Sequence, residues 1–250
     1  MRKPLISGNW NPNLGPAAEA ALAGYLDVEL GAIDGEDIVV CPTALSVPSV
    51  VAALSGSTIA VGVQEAAAVA SGALTGANSA VMAREAGCTW MLAGHSERRQ
   101  FFGETDEGVR DKVKAGLAAG LQVMVCIGET LDERNAGQVA EVTERQLSVA
   151  LSGLDDGALE RVTIAYEPVW AIGTGVTASV EQAQEVHGAL RAWLSTQRSQ
   201  EIAARMRILY GGSVNAKNAR DLLASPDIDG GLVGGASLTV GSFADIVRAA

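Results

Sequence analysis

Eight short apolar runs recur along the chain, and their spacing restricts the fold more than any other feature. They span residues 5–10, 37–42, 59–64, 90–95, 122–128, 162–168, 207–212 and 231–235. Each is rich in Val, Ile and Leu and mostly continuous rather than alternating, the pattern of strands covered on both faces. Between them lie amphipathic helical stretches, clearest at 16–30, 107–119, 139–151, 180–197 and 216–223. Strand and helix alternating eight times over 250 residues predict an α/β protein, specifically a closed (β/α)8 barrel forming one domain over 1–250. The competing architecture is an open doubly wound sheet. Its dinucleotide-binding form would place G-x-G-x-x-G in the first strand-to-helix turn, whereas that turn reads Gly8-Asn9-Trp10-Asn11-Pro12-Asn13. The small-residue-rich segment 66–79 is the most unusual loop, and a long loop in such a fold usually has a functional reason.

Charge narrows the ligands. With 29 acidic against 18 basic residues the net charge is -11, which argues against nucleic acid or an anionic membrane as partner. An anionic substrate would need a local device. Apolar residues make up 48% of the chain, yet no run approaches the roughly 18 residues of a membrane span. Met1-Arg2-Lys3-Pro4 leads into the first strand without a signal-like apolar region, so the expected location is cytoplasmic. Cys41, Cys88 and Cys126 are far apart and lie in apolar segments, which predicts buried, reduced thiols and neither a disulfide framework nor a zinc site.

A barrel gathers its active site at the C-terminal ends of its strands. Here those ends hold Asn9, Asn11, Cys41, Gln64, His95, Glu129, Glu167, Ser213, Gly234 and Gly235. His95, in Gly94-His95-Ser96-Glu97-Arg98-Arg99, stands where a helix-like turn begins, and the positive end of the helix dipole favours a neutral ring. The other histidine, His187, falls in mid-helix and is expected to pack or to face solvent. Glu167 precedes Pro168, an apolar stretch and Gly173-Thr174-Gly175, which together suggest a carboxylate base beneath a lid that excludes water. The glycine-rich turns Tyr210-Gly211-Gly212-Ser213 and Gly231 to Ser237 follow the last two strands, where barrels commonly seat a phosphate on backbone N–H groups. These parts suit proton abstraction next to a carbonyl in a small phosphorylated molecule. A Schiff-base aldolase fits less well, because Lys3, Lys112, Lys114 and Lys217 all lie away from the C-terminal strand ends.

The chain resembles the triosephosphate isomerases along its whole length, through Gly8-Asn9-Trp10, Gly94 to Arg99, Phe102-Gly103-Glu104-Thr105, Cys126-Ile127-Gly128-Glu129, Tyr166 to Gly175, Tyr210 to Val214 and Leu232 to Leu238. The resemblance implies a TIM barrel that interconverts dihydroxyacetone phosphate and glyceraldehyde 3-phosphate without cofactor or metal. A glutamate base paired with a neutral histidine under a closing loop is a known property of that family. By matching position, Glu167 and His95 would be catalytic. Asn9, Asn11, Gly173, Ser213, Gly234 and Gly235 would bind substrate, with Glu97 and Cys126 behind them. The resemblance also implies a homodimer through loop 66–79, with Thr75 near the partner's active site. The chain departs from the family pattern where members read Gly-Asn-Trp-Lys-Met-Asn, since it has Asn11 for the lysine and Pro12 for the methionine. Asn11 can donate a hydrogen bond but brings no charge, and losing one preorganised donor typically slows such a reaction roughly 100- to 1000-fold. A working isomerase, slowed or compensated at this position, is the leading expectation. The alternative is a non-catalytic or altered-specificity phosphate-binding relative, and Lys217 is the sequence's candidate for a replacement cation.

Overall fold

The computed structural model describes residues 2–172 and 178–250. Its eight strands are β1 (Leu5–Asn9), β2 (Asp37–Cys41), β3 (Ala60–Val63), β4 (Trp90–Ala93), β5 (Gln122–Ile127), β6 (Val162–Tyr166), β7 (Ile208–Tyr210) and β8 (Gly230–Val233). Every neighbouring pair is parallel, in the order of the chain, and β1 bonds to both β2 and β8, so the sheet closes on itself. The result is the (β/α)8 barrel that the alternation predicts.

Closure explains the continuous apolar runs. Successive strand residues point to opposite faces, and here neither face meets water. Leu5, Val39, Trp90, Leu92, Met124, Cys126, Ala165, Leu209 and Leu232 belong to one buried cluster within the barrel. The alternate positions, such as Ile6, Val40, Met91, Val123, Val125 and Ile164, join a second cluster with the apolar faces of the surrounding helices. All three cysteines are free and buried. Burial pushes the thiols of Cys41 and Cys88 up to about 12, which leaves them inert as nucleophiles.

Helices form where caps and periodicity agree. Pro16–Leu30 begins with proline in its first turn, where a missing N–H costs nothing, and Val180–Gln197 begins with a capping box between Ser179 and Gln182. Strand bounds expected from sequence overrun the observed ones at their C-terminal ends by one or two residues: β4 stops at Ala93 rather than His95, and β6 at Tyr166 rather than Pro168. The overrun residues form the rim that carries the polar groups. His187 is fully buried, not at the surface. Its ring meets Tyr166 edge-on with centroids 5.8 Å apart, and its Nδ1 lies 3.2 Å from the Asp227 carbonyl oxygen. Burial pulls its pKa down to about 4, so it is a neutral packing residue between the barrel and the helix that carries it.

Candidate active site

At the C-terminal rim a cavity of about 290 Å³ is lined by the polar side chains of Asn9, Asn11, His95, Glu97 and Glu167 and by the glycine-rich turns that hold Gly211, Gly212, Ser213, Gly234 and Gly235. Ile172, Val214, Leu232 and Ala236 complete it. Of the positions read from the sequence, Asn9, Asn11, His95, Glu167, Ser213, Gly234 and Gly235 come together here, Cys41, Gln64 and Glu129 do not line the cavity, and Gly173 lies outside the described residues. A larger cleft of about 710 Å³ runs between 96–107 and 128–133, away from the glycine turns, so size alone does not mark this site.

His95 is fixed by its own helix. It stands at the N-cap of Ser96–Phe102, and its Nδ1 accepts the Glu97 N–H at 3.4 Å. Accepting there leaves the ring proton on Nε2, which donates to Glu167 Oε1 at 3.0 Å. The Asn9 amide nitrogen lies 3.3 Å from the same ring nitrogen. Burial is the largest influence on the ring and disfavours its charged form. The Glu167 carboxylate, by charge and hydrogen bond, and then Glu97 outweigh burial against the opposition of Arg98, and the net shift of the pKa is upward. This corrects the expectation that the helix terminus alone keeps the ring neutral. The neutral tautomer is specified by geometry, because an imidazolium could not accept the Glu97 N–H.

Glu167 is 2% exposed. Its second oxygen accepts the Ser96 N–H at 2.9 Å, so both catalytic candidates are tied to the same helix terminus. Two glycines shape its slot. A Cβ on Gly128 would lie 1.7 Å from the Glu167 carbonyl oxygen, and one on Gly211 would lie 2.7 Å from Glu167 Cγ. Neither the Ser96 donor nor this slot leaves a side-chain signature in the sequence, although the pairing of Gly211 with Gly212 was a partial hint.

Asn11 adopts φ 48°, the only non-glycine residue with positive φ among those described, and asparagine tolerates that region better than most. Its Nδ2 donates to both oxygens of Glu97, at 3.1 and 3.2 Å, and its carbonyl faces Gln64 Nε2 at 3.5 Å. Asn13 donates to the Trp10 carbonyl at 2.7 Å and shapes the exit from β1. Gln64 also donates to the Cys41 carbonyl at 2.9 Å, a structural bond across strand ends. Glu129 is fully buried and does not line the cavity, since Tyr166, Trp170 and Arg134 all donate to it. Ser213 Oγ donates to the Ala171 carbonyl at 2.9 Å, joining the glycine turn to the segment after Glu167. Among the described residues no lysine or arginine lines the cavity, and Lys217 is exposed, with its backbone N–H on the Asn215 side chain. Lys217 is therefore not a replacement cation in this arrangement.

A closed parallel barrel whose rim sets a buried carboxylate on a histidine in a cavity shared with two glycine-rich turns defines a class: (β/α)8 enzymes that move protons on small anionic substrates. Comparison with known proteins specifies the member of that class. The family model for triosephosphate isomerase matches residues 4–250, and the chain belongs to that family. It is 48% identical over 250 residues to a triosephosphate isomerase of Herminiimonas arsenicoxydans, covering all of both chains. It is 49% identical to that of Pseudomonas syringae pv. tomato, over all of this chain and 99% of that protein. It is 46% identical to that of Syntrophotalea carbinolica, over 99% of this chain and 98% of that one.

Proposed function

We propose that the protein interconverts dihydroxyacetone phosphate and glyceraldehyde 3-phosphate, a step of glycolysis and gluconeogenesis in the cytoplasm, and that the whole chain is one barrel domain. The observation that carries the reading is the 3.0 Å contact between His95 Nε2 and Glu167 Oε1, in a cavity also lined by Gly211, Gly212, Ser213, Gly234 and Gly235.

On this reading the phosphate rests on backbone N–H groups around Ser213, Gly234 and Gly235, which suit an anion without adding bulk. The substrate carbonyl inserts between the two catalytic groups and takes the Nε2–H of His95 in place of Glu167. Glu167 then leaves the Ser96 N–H, removes a proton from the hydroxyl-bearing carbon next to the carbonyl and returns it to the former carbonyl carbon. Meanwhile His95 Nε2 gives its proton to the former carbonyl oxygen and takes the proton of the neighbouring hydroxyl, so both groups end as they began. Between those steps the enediolate oxygen is held by His95 and by the Asn9 amide. Insertion also separates His95 from the Glu167 charge, which removes the main cause of its raised pKa and suits it to act as a neutral donor. Ile172, half-buried, is the residue of the apolar segment after Glu167 that lines the cavity, and it supplies apolar cover that keeps water from the intermediate.

The same reading includes a homodimer through loop 66–79. Thr75 is exposed at that loop, and Val69, Leu74 and Met82 leave apolar surface around one shallow pocket there. Sedimentation at micromolar concentration is expected to give a dimer for the natural chain and a monomer for Leu74→Asp. Two monomers would remove the dimer from the proposal.

The deciding test is steady-state turnover of glyceraldehyde 3-phosphate by the natural chain and by Asn11→Lys. Measurable turnover that rises in Asn11→Lys is the expected result. Binding of a phosphorylated analogue with no turnover would favour the altered-specificity reading, which the absence of a cation from the described lining supports.

A further inference from the structure

We infer that Glu97 is an uncompensated anion in the cavity wall, held in place by Asn11, and that it sets how strongly the site takes a dianionic ligand. The inference rests on the proposed phosphate site and adds a determinant of its affinity.

Three observations carry it. First, Glu97 lines the cavity and its side chain is 40% exposed, so its charge faces the space the ligand must enter. Second, its partners cancel none of that charge. Both oxygens are spent on the neutral Asn11 amide, at 3.1 and 3.2 Å, and the one ionisable neighbour is His95 Nδ1 at 3.6 Å, which accepts the Glu97 N–H rather than carrying a proton. A neutral amide orients a carboxylate without neutralising it. Third, the guanidinium groups that follow Glu97 on its own helix are engaged elsewhere. Arg98 Nε forms an ion pair with Glu65 at 2.7 Å, and its guanidinium lies over the Phe102 ring at 4.6 Å. Arg99 bonds Asp106 at 2.5 Å and the Gly94 carbonyl at 2.9 Å.

The described lining therefore contributes two carboxylates, Glu97 and Glu167, and no lysine or arginine against a ligand bearing about two negative charges. In a cavity walled by apolar strands such charges are poorly screened, so each unit of negative charge lowers affinity. Asn11 is a positioning residue here. With its φ of 48° and its carbonyl against Gln64, it presents Nδ2 to Glu97 and keeps the carboxylate at the rim rather than free to swing into bulk solvent.

The test uses Glu97→Gln, Asn11→Lys and the double variant at fixed ionic strength. It reads the competitive Ki of inorganic sulfate, which stays dianionic across the working pH range, and the KM and kcat for glyceraldehyde 3-phosphate. Glu97→Gln and Asn11→Lys are each expected to lower the sulfate Ki by about three- to tenfold. Each single variant shifts the charge of the wall by one unit and the double variant by two, so the double variant should gain about the product of the two. The gain should shrink as salt is raised. A Glu97 that only braces the fold would instead raise the Ki or lower Tm. A sulfate Ki unchanged or weakened in Glu97→Gln, with Tm preserved, overturns the inference even if Asn11→Lys lowers it. If Glu97→Gln does not fold, Glu97→Ser, which removes the same charge, decides on the same readout. Absence of turnover in every form would refute the proposed function, while the sulfate data would still decide this inference.

Discussion

The slot around Glu167 can be closed by one methyl group, and Gly211→Ala does so. The added Cβ would lie 2.7 Å from Glu167 Cγ, where ordinary contact begins near 3.4 Å, so about 0.7 Å of movement is required. Its next neighbours, the Tyr166 carbonyl at 3.2 Å and Glu167 Cα at 3.6 Å, are backbone, so the glutamate side chain is the softest part available to move. The carboxylate is held by bonds of 3.0 Å to His95 and 2.9 Å to Ser96, and stretching either by that amount takes it past hydrogen-bond range. Misplacing a catalytic group by 1 Å costs about 100-fold, so kcat is expected to fall about 10- to 100-fold, or roughly 1.4–2.7 kcal/mol of transition-state stabilisation. Overpacking adds about 1–3 kcal/mol of destabilisation, readable as a lower Tm. A coupled steady-state assay separates the effects, since KM should change much less than kcat. Gly24→Ala, where nothing lies within 4 Å of the added Cβ, is the control and should match the natural chain. A folded Gly211→Ala with kcat within about threefold of the natural chain would refute the claim that this slot aims the base.

Two further expectations concern the histidines. Glu167→Gln should lower kcat by about 100- to 10,000-fold as the base is lost. The same change removes the chief cause of the raised His95 pKa, so NMR titration should find that ring titrating lower than in the natural chain, and an unchanged midpoint would contradict the assigned cause. His187, with a folded pKa near 4 against 6.5 unfolded, is neutral in the native state and binds a proton more readily when unfolded. Stability should accordingly be complete above about pH 6.5 and fall as pH drops toward 4, by about 3 kcal/mol. Denaturant midpoints for His187→Gln should lose that part of the acid slope, and an unchanged slope would assign it elsewhere.

Much of this architecture is legible in the residues, for identifiable reasons. Helices such as Val180–Gln197 carry both periodicity and caps, and their bounds follow. Shorter ones, such as Leu131–Asn135 and Gln200–Arg205, hold too few turns for a pattern, so the sequence hides them. At the rim the types were readable, since a lone histidine and a strand-end glutamate stand out. Their relation was not, because it runs through the Ser96 and Glu97 N–H groups, which every residue but proline possesses. Glu129 shows the converse case. It stands at a strand end as a candidate carboxylate should, but Tyr166 and Trp170 turn it inward, a contact that only the closed barrel creates.

The first turn of Ser96–Phe102 grips both catalytic candidates, one through the Glu97 N–H on His95 and one through the Ser96 N–H on Glu167. Fraying of that single turn would disarm acid and base in one event while the barrel stayed intact. The competent site is thus a local folding equilibrium, and hydrogen exchange at those two amides measures how often the enzyme is ready to work.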